Sequence, residues 1–143
     1  MKSIHVLVAG TALTLVTLCG CSSERNYEEV DVTGAATVDG EPIPAGSIMF
    51  IATDAQSPSG GGVIKDGRYV AKVPPGEKKV LIVGNKVVGT EPLYDTPNSP
   101  TRDKLETITP PSYNAEHLTP LTADITGPVD NLDFDVKTNG PGM

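Results

Sequence analysis

The sequence predicts an all-β fold, a seven-stranded antiparallel Greek-key sandwich. Three observations carry this. Apolar residues recur at every second position in several separate stretches, the spacing of a strand with one buried face. Turn signals separate most of those stretches: Asp39-Gly40, Asp66-Gly67, Pro74-Pro75-Gly76 and Gly127-Pro128. No amphipathic run of helical period competes with them after residue 30. The composition, 15 Gly and 13 Pro with no Trp and two Phe, favours turns and short strands over helices.

In the first strand Val30, Val32, Gly34, Ala36 and Val38 share one face, and Asp31, Thr33, Ala35 and Thr37 the other. Asp39-Gly40 ends it. Residues 41–46 hold two prolines, which lack amide donors, so this stretch reads as a loop with Ile43 tucked inward as a plug. The second strand, 47–52, turns Ile48, Phe50 and Ala52 inward and Met49 and Ile51 outward. Apolar residues on both faces mark an interior strand or a covered edge. Residues 53–62 are rich in Ser, Gly, Pro and Asp and form a loop.

Short strands follow at 62–65, 68–73 and 77–84. Asp66-Gly67 makes the hairpin between the first two, and Tyr69, Ala71 and Val73 share a face. Residues 85–112 hold five prolines and little alternation. They read as a long irregular loop without sheet pairing, broken at most by a helical turn near 102–106. Unstructured segments of this length are usually functional or disordered. Leu121, Ala123 and Ile125 alternate again. Leu132, Phe134 and Val136 alternate with Asp133, Asp135 and Lys137 in the clearest strand of all. Residues 138–143 are a fraying tail.

The chain begins with a different signal. Lys2 gives a positive start, residues 4–18 are mostly apolar, and small residues lead into polar Ser22, Ser23, Glu24 and Arg25. This is the form of a secretory signal peptide over 1–20, too short for a comfortable membrane-spanning helix. Leu18-Cys19-Gly20-Cys21 resembles the bacterial lipobox, which implies that Cys21 is lipidated and becomes the first residue. Residues 21–29 then form a tether. Cleavage before Cys21 leaves 123 of the 143 residues, enough for one modest core. It removes Lys2 and leaves ten basic against eighteen acidic residues, a net charge of −8. Such a chain has no electrostatic case for nucleic acid. It also repels anionic headgroups, so its membrane partner is reached through acyl chains on Cys21, each buried methylene contributing about 0.8 kcal/mol. With Cys19 removed and Cys21 acylated, the domain has no free thiol, disulfide or thiolate metal ligand.

Three patterns now resemble a known family. The first runs from Val32-Thr33-Gly34 through Val38-Asp39-Gly40-Glu41-Pro42-Ile43-Pro44 to Ile48-Met49-Phe50. The second is Gly62-Val63-Ile64-Lys65-Asp66-Gly67-Arg68-Tyr69, leading to Val73-Pro74-Pro75-Gly76. The third joins Pro110-Pro111-Ser112-Tyr113-Asn114 and Leu118-Thr119-Pro120-Leu121-Thr122 to Leu132-Asp133-Phe134-Asp135-Val136. In this order and spacing they resemble the carboxypeptidase regulatory-like, or transthyretin-like, β-sandwich of bacterial envelope lipoproteins, over residues 30–137. The resemblance implies an accessory, non-catalytic domain and carries no active site. One position departs from the pattern. The family commonly has an aromatic two residues after Pro-Pro-Gly, where this chain has Lys78. An inward Lys78 must snorkel.

The chemistry that remains is sparse. After residue 20 the chain has one histidine, His117, beside Glu116. As a proton shuttle or metal ligand it lacks partners, so it reads as a surface residue near a turn. Gly60-Gly61-Gly62 lacks the Lys and helix of a phosphate loop and reads as flexible chain. Asp124, Asp130, Asp133 and Asp135 do not match a calcium loop. Asp133 and Asp135 fall on the outward face of their strand, where they discourage edge-to-edge pairing. No metal or other cofactor is expected. Tyr94 and Tyr113, flanking the long loop, are the candidate ligand contacts. An aromatic there can stack on a glycan or a peptide, or, for Tyr113 in particular, pack over the end of the sandwich.

The function these observations point to is a non-catalytic, lipid-anchored cell-envelope protein acting as a binding or structural module for an envelope protein or glycan. Its loops 53–62 and 85–112 would be presented on a rigid scaffold. Ser22 after the anchor resembles outer-membrane sorting. A second reading is an accessory subunit of an export or surface complex. The third is a hydrolase, as some transthyretin-like proteins are, with His117 alone to supply the chemistry.

Overall fold

A computed structural model describes residues 27–54 and 56–139. The signal peptide expected over 1–20, Cys21 and the tether up to residue 26 lie outside the described residues, as does the tail from residue 140.

Nine strands are present among the described residues: β1 (Val30–Val38), β2 (Glu41–Pro42), β3 (Ala45–Ala52), β4 (Gly60–Lys65), β5 (Arg68–Val73), β6 (Gly76–Pro92), β7 (Thr101–Thr107), β8 (Thr122–Ile125) and β9 (Phe134–Val136). One turn of 3-10 helix, Pro111–Tyr113, is their sole helical element. The fold is all-β, as the alternation predicts. Asp39 and Gly40 (φ 50° and 87°) and Asp66 and Gly67 (φ 50° and 74°) both adopt the left-handed backbone of two-residue hairpin turns. These two Asp-Gly pairs fix the register of the strands they join.

The strands form one curled sheet in the order β2-β1-β5-β4-β3-β6-β7, each antiparallel to its neighbour. Lys78 and Lys79 pair with β3 and β8 at once, and Asn85 pairs with both Ala45 and Thr107. So β8 and β7 occupy different ends of the same edge of β6. At the far side of the sheet, Val32 pairs with Ala71 and bridges Val129, while Val38 pairs with Glu41 and Val136. Residues 129–136 therefore follow the outer edge of β1, with β9 running parallel to it. The chain from β8 to β9 passes from one edge of the sheet to the other and closes the curl over the core.

That core is where the alternation puts it. Val32, Ala36 and Val38 of β1, Ile48 and Phe50 of β3, Tyr69, Ala71 and Val73 of β5, and Val80 and Ile82 of β6 are buried. Phe50, Tyr69 and Phe134 meet at its centre with ring centroids 6.3–6.4 Å apart. Ile43 is fully buried, the plug expected of it.

Two expectations need correction. Glu41–Pro42 pairs with β1 in spite of its proline, because the next ladder bond is made by the Ile43 N–H to the Ala36 carbonyl (3.1 Å) and needs no donor from Pro42. The larger correction concerns residues 85–112, expected to be irregular. β6 runs on to Pro92, and Thr101–Thr107 pairs with it from Asn85 to Pro92, with a bulge between Val87 and Gly89. The expected helical turn near 102–106 is strand. The prolines sit where pairing does not need them: Pro92 ends β6, Pro97 and Pro100 lie in the tip, and Pro110 and Pro111 enter the 3-10 turn.

Candidate functional site

The extension of β6 and β7 leaves the body of the protein. Gly84 is its last buried residue, and from Lys86 onward nearly every residue of both strands is exposed. Its base is tied to the core. Ile108 donates its N–H to the Gly84 carbonyl (2.8 Å), Gly84 donates to Thr109 Oγ1 (3.1 Å), and Thr109 donates to Asn114 Oδ1 (3.1 Å). A Cβ at Gly84 would stand 2.9 Å from Ile43, so the close fit of the plug also needs glycine there.

Beyond the base, two faces differ. Lys86 pairs with Glu106 (3.3 Å) and Arg102 with Glu91 (2.7 Å) on one face. Val87 stands opposite Leu105 on the other, each 57% exposed, and Val88 in the bulge is exposed as well. The tip is closed. Leu93 donates to the Pro100 carbonyl (2.7 Å), Tyr94 N–H donates to Ser99 Oγ (2.8 Å), and Asn98 takes a left-handed backbone (φ 64°). Tyr94 is 62% exposed beside half-exposed Leu93. An ordered two-stranded ribbon thus carries exposed apolar side chains at its base and at its tip, with no core beneath them.

The ribbon also has a direction. The pairs Asp31–Lys72, Lys72–Gly61, Gly61–Met49 and Met49–Leu81 form one row across the sheet, and Ala35–Arg68, Arg68–Lys65, Lys65–Ala45 and Ala45–Asn85 form another. The chain enters β1 from the side of the first row. The ribbon leaves from the side of the second, at the opposite end of the sheet.

The two tyrosines expected as ligand contacts separate. Tyr94 lies at the ribbon tip, open to solvent. Tyr113 is 3% exposed in the core, and its hydroxyl accepts a hydrogen bond from the Lys137 N–H (3.4 Å). It packs over the end of the curled sheet and is not available to a ligand. His117 is exposed in a surface turn.

The aspartates also have structural work. The side chains of Asp130, Asp133 and Asp135 accept from Thr33 Oγ1 (3.3 Å), the Ala35 N–H (2.7 Å) and Thr37 Oγ1 (2.8 Å), alternate residues of β1. Asp135 also accepts from the Gly40 N–H (2.9 Å) and pairs with Lys137. Hydrogen bonds from Lys137, Thr37 and Gly40 lower its pKa to about 2. These carboxylates fasten the closing segment to β1, which accounts for their spacing better than solvation alone. Among the described residues no group of three or more His, Cys, Asp or Glu converges as metal ligands would.

A second feature lies on the outer face of the sheet. Gly60, Gly61 and Gly62 belong to β4, not to a free loop, and floor an open groove of about 470 Å³ between Met49, Lys72 and Tyr27.

No protein-family model matches this chain, and no curated protein matches it in sequence. Among solved structures it is similar to a 9R-lipoxygenase from Cyanothece PCC8801, at 12% identity and a TM-score of 0.41, over 81% of this chain and 18% of that chain. So slight a likeness carries no argument about fold or function. The ribbon was missed in the sequence because neither of its faces is buried, so no alternation marks it. The signal that could have found it is the stretch Lys86-Val87-Val88-Gly89-Thr90, β-branched and continuous with the strand before it.

Proposed function

We propose that this chain is a non-catalytic, lipid-anchored module of the bacterial cell envelope that binds a partner through the β6–β7 ribbon. The observation that carries the reading is the ribbon itself, an ordered pair of strands with Val87, Val88, Leu105, Leu93 and Tyr94 exposed. Long paired strands with bare apolar side chains and an open edge invite association, and proteins that keep them use them or shield them. The lipobox-like Leu18-Cys19-Gly20-Cys21 supports the anchor, and Ser22 supports sorting to the outer membrane. The paired Asp-Gly turns and the three sequence patterns over residues 30–137 support a transthyretin-like sandwich as the family of the domain.

The test is site-specific photo-crosslinking in native membranes, with the probe in place of Tyr94 or Val88 on the ribbon and of Glu77 at the far end. Protein adducts from the ribbon positions that are absent from position 77 are expected. Equal labelling from all three, or none from the ribbon, would remove the reading. A single larger protein captured in stoichiometric yield would favour an accessory subunit of an envelope complex.

A further inference from the structure

We infer that the ribbon's partner is a second copy of this chain, joined edge to edge through β7 about a two-fold axis at Leu105. The inference rests on the binding reading above and names its partner. β7 is the last strand in the sheet order among the described residues, and all of it is exposed. Ile108 donates to Gly84 in register with the ladder, so the even-numbered residues of β7 turn their backbone groups toward β6. Asp103, Leu105 and Thr107 turn theirs outward, unused by the ribbon and spaced to pair with another strand.

Charge disfavours the registers next to the one centred on Leu105. A two-fold axis perpendicular to the sheet keeps each face on its own side, so a central residue must meet itself. With Asp103 on the axis, Asp103 faces Asp103 and Arg102 faces Lys104. With Lys104 there, Lys104 faces itself, and with Glu106 there, Glu106 faces itself. Each puts like charges opposite, which is unfavourable. With Leu105 on the axis no like charges meet. Lys104 of each copy stands opposite Glu106 of the other, and Asp103 opposite Thr107. Glu106, already 3.3 Å from Lys86 across the ribbon, then lies between two lysines. On the other face Val87 and Leu105 of the two copies form one apolar row of four side chains. A lone two-stranded ribbon is marginal in water, and the pairing makes it four-stranded with a shared apolar face. β-Strand addition of this kind takes its affinity from the backbone and its selectivity from the alternating side chains.

The experiment is sedimentation equilibrium of the full chain, expressed in a lipoprotein-processing host and held in density-matched detergent micelles. A monomer–dimer equilibrium is expected. Glu106→Lys sets like charges opposite twice, because the interface is isologous, and should weaken association by about tenfold or more. Lys104→Glu should do the same, and the double variant Lys104→Glu/Glu106→Lys should restore it. Circular dichroism checks that each variant is folded. A chain that stays monomeric, a dimer indifferent to Glu106→Lys, or a double variant no better than the singles would overturn the inference. The crosslinking above separates the two ideas. Adducts to a different protein with a monomeric chain would end the second-copy inference and leave the binding module standing, while a ribbon that captures nothing would end both.

Discussion

Two positions show how single residues decide the fit of this small core. Gly34 faces inward on β1, opposite Tyr69 on β5, and the Leu132 carbonyl lies where its Cβ would be, at 2.0 Å. The same carbonyl accepts the Tyr69 hydroxyl (2.6 Å), and burial, with the nearby Asp133 charge second, pushes the Tyr69 pKa up. Glycine is needed here for close approach, not for a special backbone angle. Gly34→Ala should therefore displace the closing segment and cost about 3 kcal/mol, read as a lower urea midpoint. Lys78, two residues after Pro-Pro-Gly, points inward and is 1% exposed, and its Nζ donates to the Pro58 carbonyl (3.1 Å). It does not snorkel to solvent but ties the 53–59 loop to the end of the core. Asp54 in that loop is held below the usual carboxylate range chiefly by hydrogen bonds from Ser57, with the Lys78 charge a smaller cause. An apolar side chain of like volume replaces a buried charge at little cost, so Lys78→Met should leave stability within about 1 kcal/mol. Lys78→Ala leaves a cavity and should cost about 2–4 kcal/mol. A Met variant as unstable as the Ala variant would show that the Pro58 contact, not the stem, holds this end.

At the scale of elements, the closing segment and the ribbon differ in what holds them. Residues 129–136 are fastened to β1 by carboxylates, and Asp135 has a pKa of about 2 in the folded chain against an ordinary 3.8. Because folding depresses it, its contribution is fully present above about pH 4 and fades as the pH falls from there toward 2. Thermal melts across pH 5 to 2 should show a loss of stability in that window, reduced in Asp135→Asn; identical pH profiles for the two would refute the latch. The ribbon has its own ladder, the hydrogen bonds that close its tip and two surface ion pairs that contribute little, with no core beneath it. Its amides from 86 to 91 and 101 to 107 should exchange far faster in the monomer than those of β3 and β5, as measured by hydrogen exchange. This difference also explains what the sequence disclosed. Alternation revealed β1, β3, β5 and the body of β6 because each turns one face to the core. β7 turns neither, and Leu105 is its single apolar residue. The acidic residues of 130–135 were visible, but their use was not, since their partners in β1 lie almost a hundred residues away and are reached only once the curl is closed.

For the molecule as a whole, the separation of entry and ribbon gives the proposed anchor a geometric consequence. The chain enters the sheet at one end and the ribbon leaves from the other. Nine residues from Cys21 to Glu29 reach at most about 30 Å when extended. The ribbon strand from 86 to 92 adds about 23 Å on the far side of the body. If Cys21 carries the proposed lipid, the entry end would be the part of the domain tethered nearest the bilayer and Tyr94 would lie on the side away from it, the arrangement that a contact between proteins would use. In a lipoprotein-processing host, globomycin should leave the precursor uncleaved, and untreated material should lack residues 1–20 and carry acyl chains by mass spectrometry. With the processed protein in vesicles containing spin-labelled lipid, a fluorophore on Glu28→Cys should be quenched and one on Asp95→Cys should not. A free, unacylated amino terminus would end the anchor. Strong quenching at residue 95 would instead keep the anchor and lay the ribbon on the membrane, where its apolar row would be spent on lipid and unavailable to a second copy.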